Sequence, residues 1–133
     1  MNLELSKGIH PLRRAASEGH ETILQMMLAA GADVNAQGGK DGNALYAASE
    51  RGHKTVVQIL LEKGAEVNAQ GGTYGNALQA ASRGGHEQVV QILLEKGAEV
   101  NAQGGTHGTA LQGASLRGYE KVMQILLEKG AIR

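Results

Sequence analysis

Four leucines stand 33 residues apart, Leu12, Leu45, Leu78 and Leu111. Gly19, Gly52, Gly85 and Gly118 keep the same interval, and so do Gly31, Gly64, Gly97 and Gly130. The segment 42–74 is rewritten as 75–107 with six changes in 33 positions, and it starts again at Gly108. A looser version runs from Pro11 to Gln37. A unit of this size cannot bury an apolar face alone, so its copies must stack and share one continuous core. The spacing therefore predicts a single domain over 1–133, with units of about 9–41, 42–74, 75–107 and 108–133.

The second unit shows the design most plainly. Asn43 stands where a helix N-cap belongs, and 44–51 reads as a short helix of mostly small residues that lets neighbouring helices approach closely. Gly52-His53 turns the chain. A second helix over 54–63 places Val56, Val57, Leu60 and Leu61 at helical spacing, with Ile59 flanking. Gly64 stops it, and Ala65 to Ala69 leads to a Gly-Gly tip that reads as a tight, hairpin-like turn. Asn76 and Thr109 are the corresponding caps in units three and four. In the first unit Pro11 opens a helix over 11–18, where its missing N–H costs nothing, and a second helix follows over 21–30. Arg13 and Arg14 replace Tyr46-Ala47, Gln79-Ala80 and Gln112-Gly113, which reads as the more polar helix of a capping unit. The last helix, over 120–129, keeps Val122, Met123, Ile125, Leu126 and Leu127 without polar replacements. That predicts an open apolar end, suited to self-association or to a longer array.

Composition agrees with thin stacked layers. Hydrophobic residues make up 41% of the chain and aromatic ones only 2%, so the core must be built from Leu, Ile, Val and Ala. Thirteen basic and thirteen acidic residues leave no net charge, which argues against a nucleic-acid surface. There is no cysteine, hence no disulfide framework or thiolate site. Residues 1–8 hold no apolar signal segment, and no apolar run approaches the length of a membrane span. The reading is a cytoplasmic protein without membrane contact.

No constellation of catalytic residues emerges. His20, His53 and His86 recur after glycine, with Tyr119 in the fourth unit. Units packed like neighbouring helices set them about 10 Å apart, whereas metal ligands sit near 2 Å from the ion. They read as turn residues hydrogen-bonded to backbone, and no metal is expected. His86-Glu87 lacks the second histidine of a zinc-protease helix, since Val90 occupies its place. Gly39-Lys40 fails as a phosphate loop, because Val34 replaces the upstream glycine and Asp41 the Ser or Thr. Asn35, Asn68 and Asn101 read as braces for local loop backbone. Neither cofactor nor enzymatic activity is expected.

The period, the helix–turn–helix–loop order and the strings Pro11-Leu12, Ala15-Ala16, Gly19-His20 and Gly64-Ala65-Glu66-Val67-Asn68-Ala69 resemble ankyrin repeats over nearly the whole chain. Units two to four depart from the Thr-Pro-Leu-His signature. They read Asn43-Ala44-Leu45-Tyr46, Asn76-Ala77-Leu78-Gln79 and Thr109-Ala110-Leu111-Gln112, without its histidine. The Asn-Ala-Leu-Gln form and the Gln-Gly-Gly tips are similar to arrays at the ends of fungal signalling NTPases of the NOD-like type. The resemblance implies an all-α solenoid of four L-shaped units stacked into a curved slab. It also implies a protein-interaction module that holds a partner protein on its loop tips and on the concave face lined by first helices. A consensus-like scaffold without a natural ligand, or the recognition tail of a larger NTPase, is the alternative.

The chain supplies its own comparison. Units two and three differ at Tyr46/Gln79, Glu50/Arg83, Arg51/Gly84, Lys54/Glu87, Thr55/Gln88 and Tyr74/His107. None lies in the apolar stripe of the second helix. Unit four carries Leu116 and Arg117 at the first-helix end. Glu50, Arg51, Arg83, Leu116 and Arg117, with Lys40, Tyr74 and His107 at the tips, are the candidate partner-binding residues: an exposed Tyr, Arg and Leu set has the chemistry of an interface.

Overall fold

The computed structural model describes residues 11–38 and 42–132. They form eight helices in four pairs: α1 (Pro11–Glu18) with α2 (Glu21–Ala29), α3 (Ala44–Arg51) with α4 (Lys54–Glu62), α5 (Ala77–Gly84) with α6 (Glu87–Glu95), and α7 (Ala110–Arg117) with α8 (Glu120–Glu128). Among the described residues there is no strand, and a lone antiparallel bridge between Gly72 and Gly75 closes one tip.

Helices of eight or nine residues are marginal alone, so caps and packing hold them. Asn43 is extended, and its side chain accepts from the Tyr46 N–H at 2.8 Å. Asn76 accepts from the Gln79 N–H at 2.9 Å while the Gln79 side chain accepts from the Asn76 N–H at 2.8 Å, a reciprocal capping box. Thr109 and Gln112 repeat the box. The first helices turn at a left-handed glycine, Gly52 at φ 77°. The second helices end one residue earlier than the pattern predicts, because Ala30, Lys63, Lys96 and Lys129 serve as C-caps whose N–H groups still point back into the last turn.

First helices pack in a row, α1 on α3 on α5 on α7, more closely than second helices do in theirs. Alanines explain the close row: Ala15, Ala16, Ala44, Ala48, Ala77, Ala81, Ala110 and Ala114 are all buried in it. A close inner row and a wider outer row bend the slab toward the first helices. Between the rows runs one continuous core. Leu24, Val57, Leu60, Val90, Leu93 and Leu126 are fully buried there, and Ile59, a flanking residue by spacing alone, is buried too.

Two polar columns stitch the units. The Asn35 amide donates to the Gly64 carbonyl at 3.1 Å and accepts from the Glu66 N–H at 2.8 Å; Asn68 does the same with Gly97 and Glu99, and Asn101 with Gly130 and Ile132. These asparagines therefore brace the following unit rather than their own loop. Two of the three histidines bond to backbone, and that backbone belongs to the preceding unit, whereas His20 lies 3.0 Å from the Glu18 carboxylate of its own unit. His53 Nε2 donates to the Ser17 carbonyl at 2.8 Å and His86 Nε2 to the Glu50 carbonyl at 2.9 Å.

The first unit requires one correction. Arg13 does not form a polar outer face: it is buried, with its guanidinium against Gly38. Its helix position is the one that Tyr46 and Gln79, also buried, occupy in the next two units. Arg14 is exposed and pairs with Glu18 at 3.2 Å, as expected of a capping helix, while α2 of the same unit also exposes two apolar side chains, Ile23 at 47% and Met26 at 66%.

Candidate partner-binding face

The tips are held from beneath. Tyr46 is 3% exposed and fills the space under the tip between units two and three. Its ring lies against Gly72, where a Cβ would collide with it, and its hydroxyl accepts from the Tyr74 N–H at 2.8 Å. Burial raises its phenol to a pKa of about 12. Gln79 has the same task one unit on, donating to the carbonyls of Ala102, Gly104 and Gly108. The two tips are then tied together, since the N–H and the hydroxyl of Thr106 both donate to the Thr73 carbonyl, at 3.0 and 3.1 Å. The Tyr46/Gln79 pair was visible as a difference between units. Its role as a prop was not legible in the string, because the backbone these side chains hold lies 23 to 29 residues further along the chain.

On this platform three candidate residues meet. The Arg83 guanidinium lies 4.4 Å from the centre of the Tyr74 ring. Tyr74 stacks on His107 with centroids 5.4 Å apart and planes 10° from parallel. A helix end and two successive tips thus become one surface. All three side chains are half-buried, so the expectation of a freely exposed tyrosine and arginine is corrected: they cover each other. The Arg83 Nε–H is buried with no acceptor within reach among the described residues.

The other candidates are spread around this stack. Glu50 and Leu116 are exposed one unit to either side of Arg83, Leu116 at 66%. Arg51 and Arg117 are also exposed and stand outside the stack; Arg117 leans instead toward the Tyr119 ring, at 5.9 Å. Lys40 lies outside the described residues. Beyond Leu116 an open groove of about 920 Å³ is lined by Leu111, Gln112, Ser115, Leu116 and Ile132 among others. Between the earlier units, that position is filled by the next unit. Among the described residues no three His, Cys, Asp or Glu side chains could share a metal ion, and no helix is long and apolar enough to cross a membrane.

The family model described as ankyrin repeats (3 copies) matches residues 1–71 and again 71–132. No curated protein matches the chain. With four stacked helix pairs of 33-residue period and a family match along almost the whole sequence, the chain belongs to the ankyrin-repeat family.

Proposed function

We propose that the chain binds a partner protein along its concave side, through the ends of the first helices and the loop tips, and carries out no catalysis there. Ankyrin repeats are generally protein-interaction modules. The observation that carries the reading here is the Arg83–Tyr74–His107 stack. It joins residues that differ between two otherwise near-identical units into one surface. The core beneath it does not vary: Val56, Val57, Leu60 and Leu61 recur as Val89, Val90, Leu93 and Leu94. The test is capture from cell lysate on the immobilised chain, beside a variant with Glu50, Arg83, Leu116 and Arg117 all changed to alanine and shown to be equally folded by circular dichroism. A protein retained by the parent and lost from the variant is the expected result. Equal retention by both removes the face from consideration, and no selective retention favours a scaffold without a ligand of its own.

A second mode of association rests on the ends of the stack. Ile23 and Met26 are exposed at one end, where the equivalent Val56 and Ile59 are buried between units. At the other end Met123 is half-buried, where Val57 and Val90 are fully covered. These are the two sides of the junction the chain makes three times internally, and a second copy joined head to tail would complete it.

A further inference from the structure

Arg83 combines features that a merely solvated arginine lacks. Its guanidinium lies over the Tyr74 ring, its Nε–H is buried without an acceptor, and it has no carboxylate in ion-pair contact among the described residues. Glu50, the acidic residue of the same row, has its backbone carbonyl engaged by His86, while its side chain makes no ion pair with Arg83. A guanidinium held over an aromatic ring has lost rotamer freedom in advance, and the Nη donors of a guanidinium match the planar fork of a carboxylate. On either side, Glu50 offers an anion and Leu116 an apolar surface. Neighbouring helices pack about 8–10 Å apart, and three residues of extended or polyproline-like chain advance about 9–10 Å.

We infer that the Arg83–Tyr74 pair is an anchor for a carboxylate side chain of an extended partner segment, which presents a basic residue to Glu50 three positions to one side and an apolar residue to Leu116 three positions to the other. The inference rests on the concave face being the binding face and adds the chemistry that face selects. His107 and Tyr46 act on the anchor indirectly. One stacks on Tyr74, and the other holds the Tyr74 backbone in place.

The experiment follows the Arg83 Nε–H signal in the ¹⁵N-labelled full chain, identified by its loss in Arg83→Lys. The probes are the blocked heptapeptide Lys-Ala-Ala-Asp-Ala-Ala-Leu, its reverse-order counterpart, the same peptides with Asn for Asp, and inorganic phosphate. The expected result is that one Asp peptide shifts the signal and binds at least tenfold more tightly than its Asn form. Arg83→Lys, which keeps the charge but not the fork, loses most of that difference. Equal binding of Asp and Asn peptides overturns the assignment, as does an Arg83 signal unmoved by either Asp peptide. Phosphate acting at concentrations as low as the peptide also overturns it, reducing the site to a general anion contact. If the lysate partner is still retained by Arg83→Lys while the signal stays unmoved, this anchor falls and the protein-binding role stands. Loss of selective capture by the parent chain itself brings down the wider reading.

Discussion

Single side chains set the shape of the tips. Tyr46 is the clearest case, because its hydroxyl holds the Tyr74 backbone and its ring fills the space under Gly72. Its phenol is neutral when protonated, and burial raises its pKa to about 12 from the usual 10. The folded state therefore holds that proton more tightly than the unfolded chain. The resulting stability is fully present below pH 10 and is lost as pH rises through 12. Two pKa units correspond to about 3 kcal/mol. Denaturant unfolding at pH 9 and pH 12 should show the parent losing on the order of 2–3 kcal/mol more than Tyr46→Phe; parallel losses would deny Tyr46 this role. A second buried polar group acts in the opposite sense. Ser82 is fully buried in α5, and its hydroxyl has no hydrogen-bond partner among the described residues. Ala16 occupies the same position in the first unit, equally buried. Ser82→Ala should raise stability by about 1 kcal/mol, visible as a higher Tm, and a lowered Tm would mean the hydroxyl has a partner in solution.

At the scale of elements, inside and outside separate sharply. Leu93 in α6 is fully buried between units, so Leu93→Ala should cost about 2–5 kcal/mol. Arg83→Ala gives up a half-exposed cation–π contact and should cost under about 1 kcal/mol. Urea unfolding of the two variants checks the contrast, and comparable costs would reverse the assignment of faces. The helices themselves were legible in the sequence: the leucine interval, the caps at Asn43, Asn76 and Thr109, and the stripe Val56-Val57-Leu60 all state their own element. Which neighbour a side chain reaches was not legible. Asn68 bonds 29 and 31 residues ahead, to Gly97 and Glu99. A reading along one unit assigns such a side chain to its own loop, because nothing in the local string distinguishes the two choices. Arg13 was misplaced for a related reason. Its charge suggests solvent, yet it is buried with its guanidinium against Gly38, a contact 25 residues along the chain that no local string announces. The stack of Arg83, Tyr74 and His107 was read as a set of varied surface positions. Their mutual contact follows from the stacking of units, which brings residues 9 and 33 apart in sequence together in space.

The whole molecule is a one-dimensional pile, in which each junction is a copy of the last. Its two end faces are therefore complementary by construction. α2 presents Ile23 and Met26 outward, and α8 presents Met123 and Leu127 beside a shallow groove of about 400 Å³. A contact between different faces of identical chains is heterologous and leaves a free face at each end, so it grows into open oligomers rather than closed dimers. Sedimentation equilibrium of the parent chain should show mass rising with concentration without a limiting species. Met26→Glu blocks one face and Met123→Glu the other, and each variant alone should remain monomeric. The mixture separates this arrangement from any other. Met26→Glu keeps a working Met123 face, Met123→Glu keeps a working Met26 face, and together they can form one junction and no more. A one-to-one mixture should stop at a dimer. Growth beyond a dimer, or association of either variant alone, would place the contact elsewhere on the surface. A parent that stays monomeric across the concentration range would show that three internal junctions do not suffice to make a fourth between chains.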